Sequence, residues 1–360
     1  MGCSSMLAEK LVKAPNYGKS VEQLGKLSQN ELKKWQMDQQ YRVAVNSSCA
    51  SLHIGIIEPK QEWAINPGTL WYEALKKPFK NMANQQPETK MPEILYWQKF
   101  PEDGNDGKTA FSFSKNPQKD HVLWEKPKGS IICLHGLQMN KNILASTWGQ
   151  ILAVHGYRVI LVDLRGHGRS TGDYLTYGRV ESRDISQIID DMEDKDLLNG
   201  RLIIMGGSYG AAVAVQTAAI DNRVDAVIAM EPFTSLKEVA PDFARQRLGL
   251  LAMLIGKKEI YKIVDKAGSI AKFDPDTDTP LKAVQQIEIP ILFIHGKDDK
   301  HIPFRHSQDL NAAACCGKLV IIDGKNHMNL AFEDTYPLRD EIINWLEDDR
   351  EPTGGKGDLD

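Results

Sequence analysis

RLIIMGGSYGAAVA, residues 201–214, joins an apolar strand to an alanine-rich helix through three glycines, Gly206, Gly207 and Gly210. Glycine at this density weakens both strands and helices, so the backbone here needs room that side chains would deny it. Ser208, flanked by Gly206 and Gly210 in a G-x-S-x-G pattern, supplies the reason. Such an elbow holds its serine in a strained conformation, and strand and helix pass so closely that the positions two before and two after tolerate only small side chains. The strain lifts Oγ clear of the sheet, and the following helix aims the positive end of its dipole where negative charge develops. Glycine and serine also make ordinary turns; the strand–turn–helix setting selects the elbow. Ser208 is the candidate nucleophile.

Short, continuously apolar runs surround the elbow: SIICLH, YRVILVDL, RLIIMG, VDAVIAM, IPILFIHG and KLVIIDG. Continuous rather than alternating hydrophobicity marks strands buried on both faces, as in a parallel sheet covered by helices. Segments of helical patterning accompany them: NILASTWGQILAVHG, SRDISQIIDDMED, AAVAVQTAAID, RHSQDLNAAA and YPLRDEIINWLEDD. Strand alternating with helix implies right-handed crossovers and a doubly wound, mostly parallel α/β sheet. The rhythm breaks between Ser235 and about Gln286, a stretch too long for an ordinary connection and read as a lid. Inside it, LGLLAMLIG (248–256) lies between Arg245 and Arg247 on one side and Lys257 and Lys258 on the other. Two readings stay open for this run. It is a helix buried between lid and core, or a lid whose apolar face lines an acyl pocket while its basic ends remain in water.

Residues 1 to about 90 lack this alternation and read as an N-terminal extension packed on the core. Within it, SVEQLGKLSQNELKKWQ suggests one or two short helices capped by Ser20 and Ser28, and SLHIGIIEP a strand. EILYWQKF and AFSFSK read as the antiparallel start of a main domain spanning 91–347, and residues 348–360 as a disordered acidic tail.

The 360 residues carry 44 basic and 48 acidic side chains, a balance without the basic stripe of a nucleic-acid-binding protein. No apolar run reaches the length of a membrane span. The five cysteines show no CxxC or Cys/His spacing, so neither a metal nor a cofactor is expected. Cys133 reads as a small hydrophobe within a strand, Cys49 has no obvious partner, and the adjacent Cys315 and Cys316 do not easily bridge each other. The start, MGCSSMLAEK, resembles the processing site of a bacterial lipoprotein. In that reading Met1 stands in place of a removed apolar signal, and a lipidated Cys3 on a flexible serine-rich tether anchors the protein in the cell envelope, facing the periplasm. N-myristoylation fits less well because Met6 occupies the Ser/Thr position. The alternative is the ordinary start of a cytoplasmic chain.

A serine hydroxyl needs a base, and the base an orienting acid. In this architecture they follow in the order Ser, acid, His, each on a loop after a later strand. His327, in KNHMN after KLVIIDG, is the one of nine histidines in the right order on the right loop. His135 and His295 precede glycines at strand ends and read as loop-shaping; His167 lies in the turn RGHGRS, and His301 and His306 read as surface residues. Asp299, in KDDKHIP, is the candidate acid, with Asp298 its neighbour and Glu231, after VDAVIAM, the alternative. The oxyanion needs rigid backbone donors. Tyr209 N–H is one; Leu137 N–H is the other, with Gln138 in reserve, on a loop that Gly136 lets turn sharply.

With LHGLQ, DLRGHGRS, GGSYG, HGKDDKHIP and GKNHMN in this order, the chain resembles the α/β-hydrolases of the serine esterase, lipase and aminopeptidase group, from about Pro92 to Glu347. The resemblance implies an eight-stranded, mostly parallel sheet with a short lid. It implies the acid at the fifth position of H-G-x-x-D-x-x-[VI]-P, here Asp299, and the base on the loop after the last strand, here His327. It also makes Asp163 to Ser170 a structural turn. The expected function is hydrolysis of small carboxylic esters through an acyl-enzyme on Ser208, with short to medium acyl chains favoured because the insertion is short. A peptidase, amidase or thioesterase with the same residues is the alternative; a non-catalytic envelope protein binding a lipid or a partner in the pocket is another. Dehalogenases and epoxide hydrolases carry an aspartate where Ser208 stands.

Overall fold

In the computed structural model, residues 3–25, 27–46, 49–59, 126–145, 147–248, 255–332 and 336–348 are described. The apolar runs become β3 (Gly129–Leu134), β4 (Tyr157–Asp163), β5 (Arg201–Gly207), β6 (Ala226–Met230), β7 (Ile291–Gly296) and β8 (Gly317–Ile322). Two earlier strands join them, β1 (Gln39–Val45) and β2 (Ala50–Ile57). Among the described residues these eight form one sheet, in the order β1-β2-β4-β3-β5-β6-β7-β8. The β1–β2 and β2–β4 pairs are antiparallel and every other pair is parallel.

The sheet therefore begins at Gln39, ahead of the boundary at residue 91 that the sequence suggests, and part of the expected extension is integral to the core. β1 escapes sequence reading because it is an edge strand, half-exposed along much of its length. EILYWQKF, AFSFSK, residues 249–254 of the LGLLAMLIG run and the tail beyond 348 lie outside the described residues.

Each central strand serves two faces, as its continuous apolar character requires. Ile132 and Leu134 of β3 join one core with the helices Glu181–Asp194, Tyr209–Ala218 and Lys257–Ala271. Ile131 and Cys133 join the other, with Trp148–Val154 and Tyr336–Glu347. β3 lies between β4 and β5, so the chain leaves it on one side and returns past it to the other. The helices that follow β3 and β5 consequently cover opposite faces, which opens a crevice beyond the carboxyl ends of these two strands.

The insertion between β6 and β7 contains, among the described residues, the helices Leu236–Leu248, Lys257–Ala271 and Pro280–Val284. The segment expected as a flexible tether is instead the helix Cys3–Val12, which packs against Lys257–Ala271 and buries Ala8 and Val12, four residues apart on one face. Ser28 caps the helix Gln29–Trp35 by accepting from Glu31 N–H, whereas Ser20 opens only a turn. No helix among the described residues is long and apolar enough to cross a membrane.

Candidate active site

Ser208 follows β5 with φ 53° and ψ −112°, and its N–H donates to Met230 O at 2.8 Å. A non-glycine residue in this region costs on the order of 1–3 kcal/mol and persists only where its surroundings hold it. The glycines show what holds it. A Cβ at Gly206 would overlap the backbone of Gly210, and one at Gly210 would overlap the carbonyl of Leu134. At Gly207 the nearest atom, Met230 Cε, would be 3.9 Å away, so the third glycine is not demanded by space.

Asp299 is buried beyond β7. Its Oδ1 accepts from His301 N–H at 2.8 Å and Ile302 N–H at 2.9 Å, and its Oδ2 accepts from His327 Nδ1 at 2.7 Å. Burial alone would raise its pKa; hydrogen bonds from His295 and His327 outweigh that and hold the carboxyl well below the usual range. The carboxylate can only accept, so His327 carries its proton on Nδ1 and leaves Nε2 as the acceptor.

Glu231 lies at the same place. It follows β6 with φ 51°, is 1% exposed, and brings Oε2 to 3.4 Å from His327 Nδ1, while Oε1 has no hydrogen-bond partner among the described residues. Burial and the charge of Asp299 push its pKa well above the usual value, so it is neutral where Asp299 is charged. The structure thus brings both candidate acids to His327 and separates them by charge and distance. Asp298 is exposed. Among the described residues, Glu231, Asp299 and His327 are the group whose ligand-type atoms lie within 4.8 Å of one another, but Nδ1 and Oδ2 are spent on each other.

The loop after β3 is braced by two neutral histidines. His135 donates from Nδ1 to Gly136 O at 2.8 Å and accepts Leu164 N–H on Nε2 at 3.0 Å; burial pushes its pKa down to about 3. His167 donates to Arg165 O and accepts Gln138 N–H on Nε2 at 3.2 Å. That bond occupies Gln138, the reserve oxyanion donor. Among the described residues no acceptor meets the N–H of Leu137 or of Tyr209. The positive φ that turns this loop falls at Gln138 (62°), contrary to the expectation for Gly136. Asp163 supports the arrangement from below, accepting from His53, Lys141 N–H and Arg169 N–H, in keeping with a structural turn.

Two histidines depart from the surface positions expected of them. His301 lines the cavity with its ring 5.5 Å from that of His327. His306 is 1% exposed and pairs with Thr234 Oγ1 at 2.9 Å. Its spacing of four residues from buried Leu310 on one helix was the available signal.

Ser208, Tyr209, Leu137 and His327 line one cavity of about 470 Å³. Apart from Gln138 and His301 its remaining wall is apolar, with Phe233 from the core side and Val239, Phe243 and Val264 from the insertion between β6 and β7. The structure links His327 to Asp299 through a hydrogen bond and to Ser208 through this shared wall.

Residues 131–339 match the model of the Alpha/beta hydrolase family, and the chain belongs to that family. It is a hydrolase-type enzyme by fold and family. Among curated proteins it is 29% identical over 210 residues to the uncharacterized protein YqkD of Bacillus subtilis, covering 56% of this chain and 67% of that one. Among solved structures, the Pyrococcus furiosus esterase Pf2001 aligns with a TM-score of 0.56 and 15% identity, over 92% of this chain and 98% of the esterase. The Pyrococcus horikoshii acylaminoacyl peptidase aligns with a TM-score of 0.53 and 14% identity, over 89% of this chain and 44% of the peptidase. At such identities these likenesses speak to the fold alone.

Proposed function

We propose that this protein hydrolyses carboxylic esters of short to medium acyl chains through an acyl-enzyme on Ser208. The observation that carries the reading is the strained Ser208 on the same cavity as His327, whose Nδ1 is held by a charged, buried Asp299. In the proposed mechanism His327 Nε2 takes the Ser208 proton as Oγ attacks the ester carbonyl. Leu137 and Tyr209 N–H receive the oxyanion, each such donor being worth about 10²–10³ in rate. His327 then returns the proton to the leaving alcohol, and water, activated by the same imidazole, releases the acid and restores Ser208. Asp299 orients the ring and balances its charge.

The apolar lid wall favours an alkyl acyl group, and the cavity volume lies in the lower half of the roughly 300–1,000 Å³ range of small-molecule sites, which favours a modest chain length. Amide, peptide or thioester hydrolysis uses the same residues and is the second reading, supported by the fold shared with the acylaminoacyl peptidase. The test is labelling with a fluorophosphonate probe, with nitrophenyl esters of graded acyl length assayed beside aminoacyl anilides. Wild type should label and Ser208→Ala should not; Ser208→Ala with undiminished ester turnover refutes the mechanism. Faster cleavage of anilides than of esters selects the peptidase reading.

A further inference from the structure

The helix Cys3–Val12 lies far outside the family match at 131–339, yet two of its side chains reach the cavity that holds Ser208. We propose that this helix is a wall of the acyl-binding cavity and determines which acyl groups the enzyme accepts, an inference that rests on the hydrolase reading of Ser208. The helix carries two neighbouring apolar stripes. Ala8 and Val12 are fully buried and anchor it in the core, while Leu7 and Leu11 line the cavity. Leu7 keeps 38% of its surface accessible and Leu11 is half-buried. That is apolar surface which an apolar occupant of the cavity would cover.

The charged groups of the helix lie off this stripe. Lys10 is exposed, and Glu9 pairs with Lys13 at 3.7 Å. The part of the substrate that meets the helix is therefore an uncharged alkyl portion of a medium-length acyl group.

Backbone bonds hold the wall in place. Leu175 N–H donates to Val12 O at 2.8 Å, and Ala14 N–H to Asp173 O at 2.9 Å. Tyr177 Oη donates to Leu11 O at 2.7 Å, and its ring meets Tyr209 edge-on at 5.8 Å. Tyr209 follows Ser208 directly, so the helix is tied to the elbow through a single side chain.

The experiment compares kcat/KM for nitrophenyl octanoate and nitrophenyl acetate in wild type, Leu7→Asp, Leu11→Phe and Lys10→Ala, each checked for cooperative unfolding and for fluorophosphonate labelling. A carboxylate on the wall should lower the octanoate-to-acetate ratio about tenfold in Leu7→Asp, mainly through KM. Leu11→Phe should move the preference toward shorter chains by filling the cavity, and Lys10→Ala should keep the wild-type ratio. If Leu7→Asp does not fold, Leu7→Ala is read in the same direction with a smaller fall. Folded, labelled variants at Leu7 and Leu11 with the wild-type ratio overturn the wall while leaving Ser208 untouched. A wild type that fails to label overturns the Ser208 reading and this inference with it.

Discussion

Replacing Glu231 by glutamine tests the charge state around His327. Glu231 is 1% exposed, its Oε1 has no partner among the described residues, and burial together with the Asp299 charge keeps its carboxyl protonated. In the unfolded chain a glutamate ionises above about pH 4.3. Between that pH and the raised folded value, the folded state binds one proton more than the unfolded state. Its contribution to stability is thus fully present below the unfolded value and is lost as pH rises toward the folded one, at about 1.36 kcal/mol per pH unit. Glutamine keeps the shape and has no proton to lose. As pH rises above about 5 the Glu231→Gln variant should therefore gain steadily on the wild type, by up to about 1.36 kcal/mol for each pH unit below the raised folded value. Urea unfolding at intervals across this range, extrapolated linearly to water, gives the quantity directly. Ester turnover should change only a few-fold, because a neutral group replaces a neutral group. Parallel stability curves would mean that Glu231 is ionised in the folded protein and that two carboxylates share His327, and the assignment of Asp299 as its sole charged partner would be wrong.

Asp299→Asn should lower kcat by about 10⁴-fold with the fold intact, because an amide no longer imposes the Nδ1–H tautomer on His327. A loss under about tenfold would transfer the orienting role to Glu231. Gly210→Ala should lower the urea midpoint by the equivalent of at least about 1–3 kcal/mol, since its Cβ overlaps the Leu134 carbonyl, while Gly207→Ala, with its nearest atom at 3.9 Å, should be far milder. Equal midpoints for the two would refute the close approach of strand and helix. Burial, aided by the Arg305 charge, lowers the pKa of His306 to about 4, so its stability contribution is complete above about pH 6.5 and is lost as pH falls toward the folded value. At about pH 5 that loss is about 2 kcal/mol, and His306→Asn, which keeps an acceptor for Thr234, should remove it. An unchanged acid slope in this variant would show His306 to be charged in the folded state.

Local demands were legible in the sequence. The elbow was readable because its constraint acts within five residues: Gly206 and Gly210 sit where a Cβ would strike backbone, so the requirement is written into adjacent positions. The buried parallel strands were readable because burial on both faces removes polar residues from every position. The order of Ser208, Asp299 and His327 followed from which loop each occupies. Tertiary structure decided the rest. β1 and β2 enter the sheet through pairings such as Ile54 with Val162, across more than a hundred residues, and a half-exposed edge strand leaves only a weak pattern. The burial of His306, the cavity position of His301 and the different charges of Glu231 and Asp299 depend on neighbours from other elements. So does the place of Leu7 and Leu11 on the cavity wall, which no local pattern distinguishes from the buried stripe of Ala8 and Val12 beside it. Backbone sterics act between neighbours along the chain, whereas desolvation and cavity shape arise only when distant segments meet.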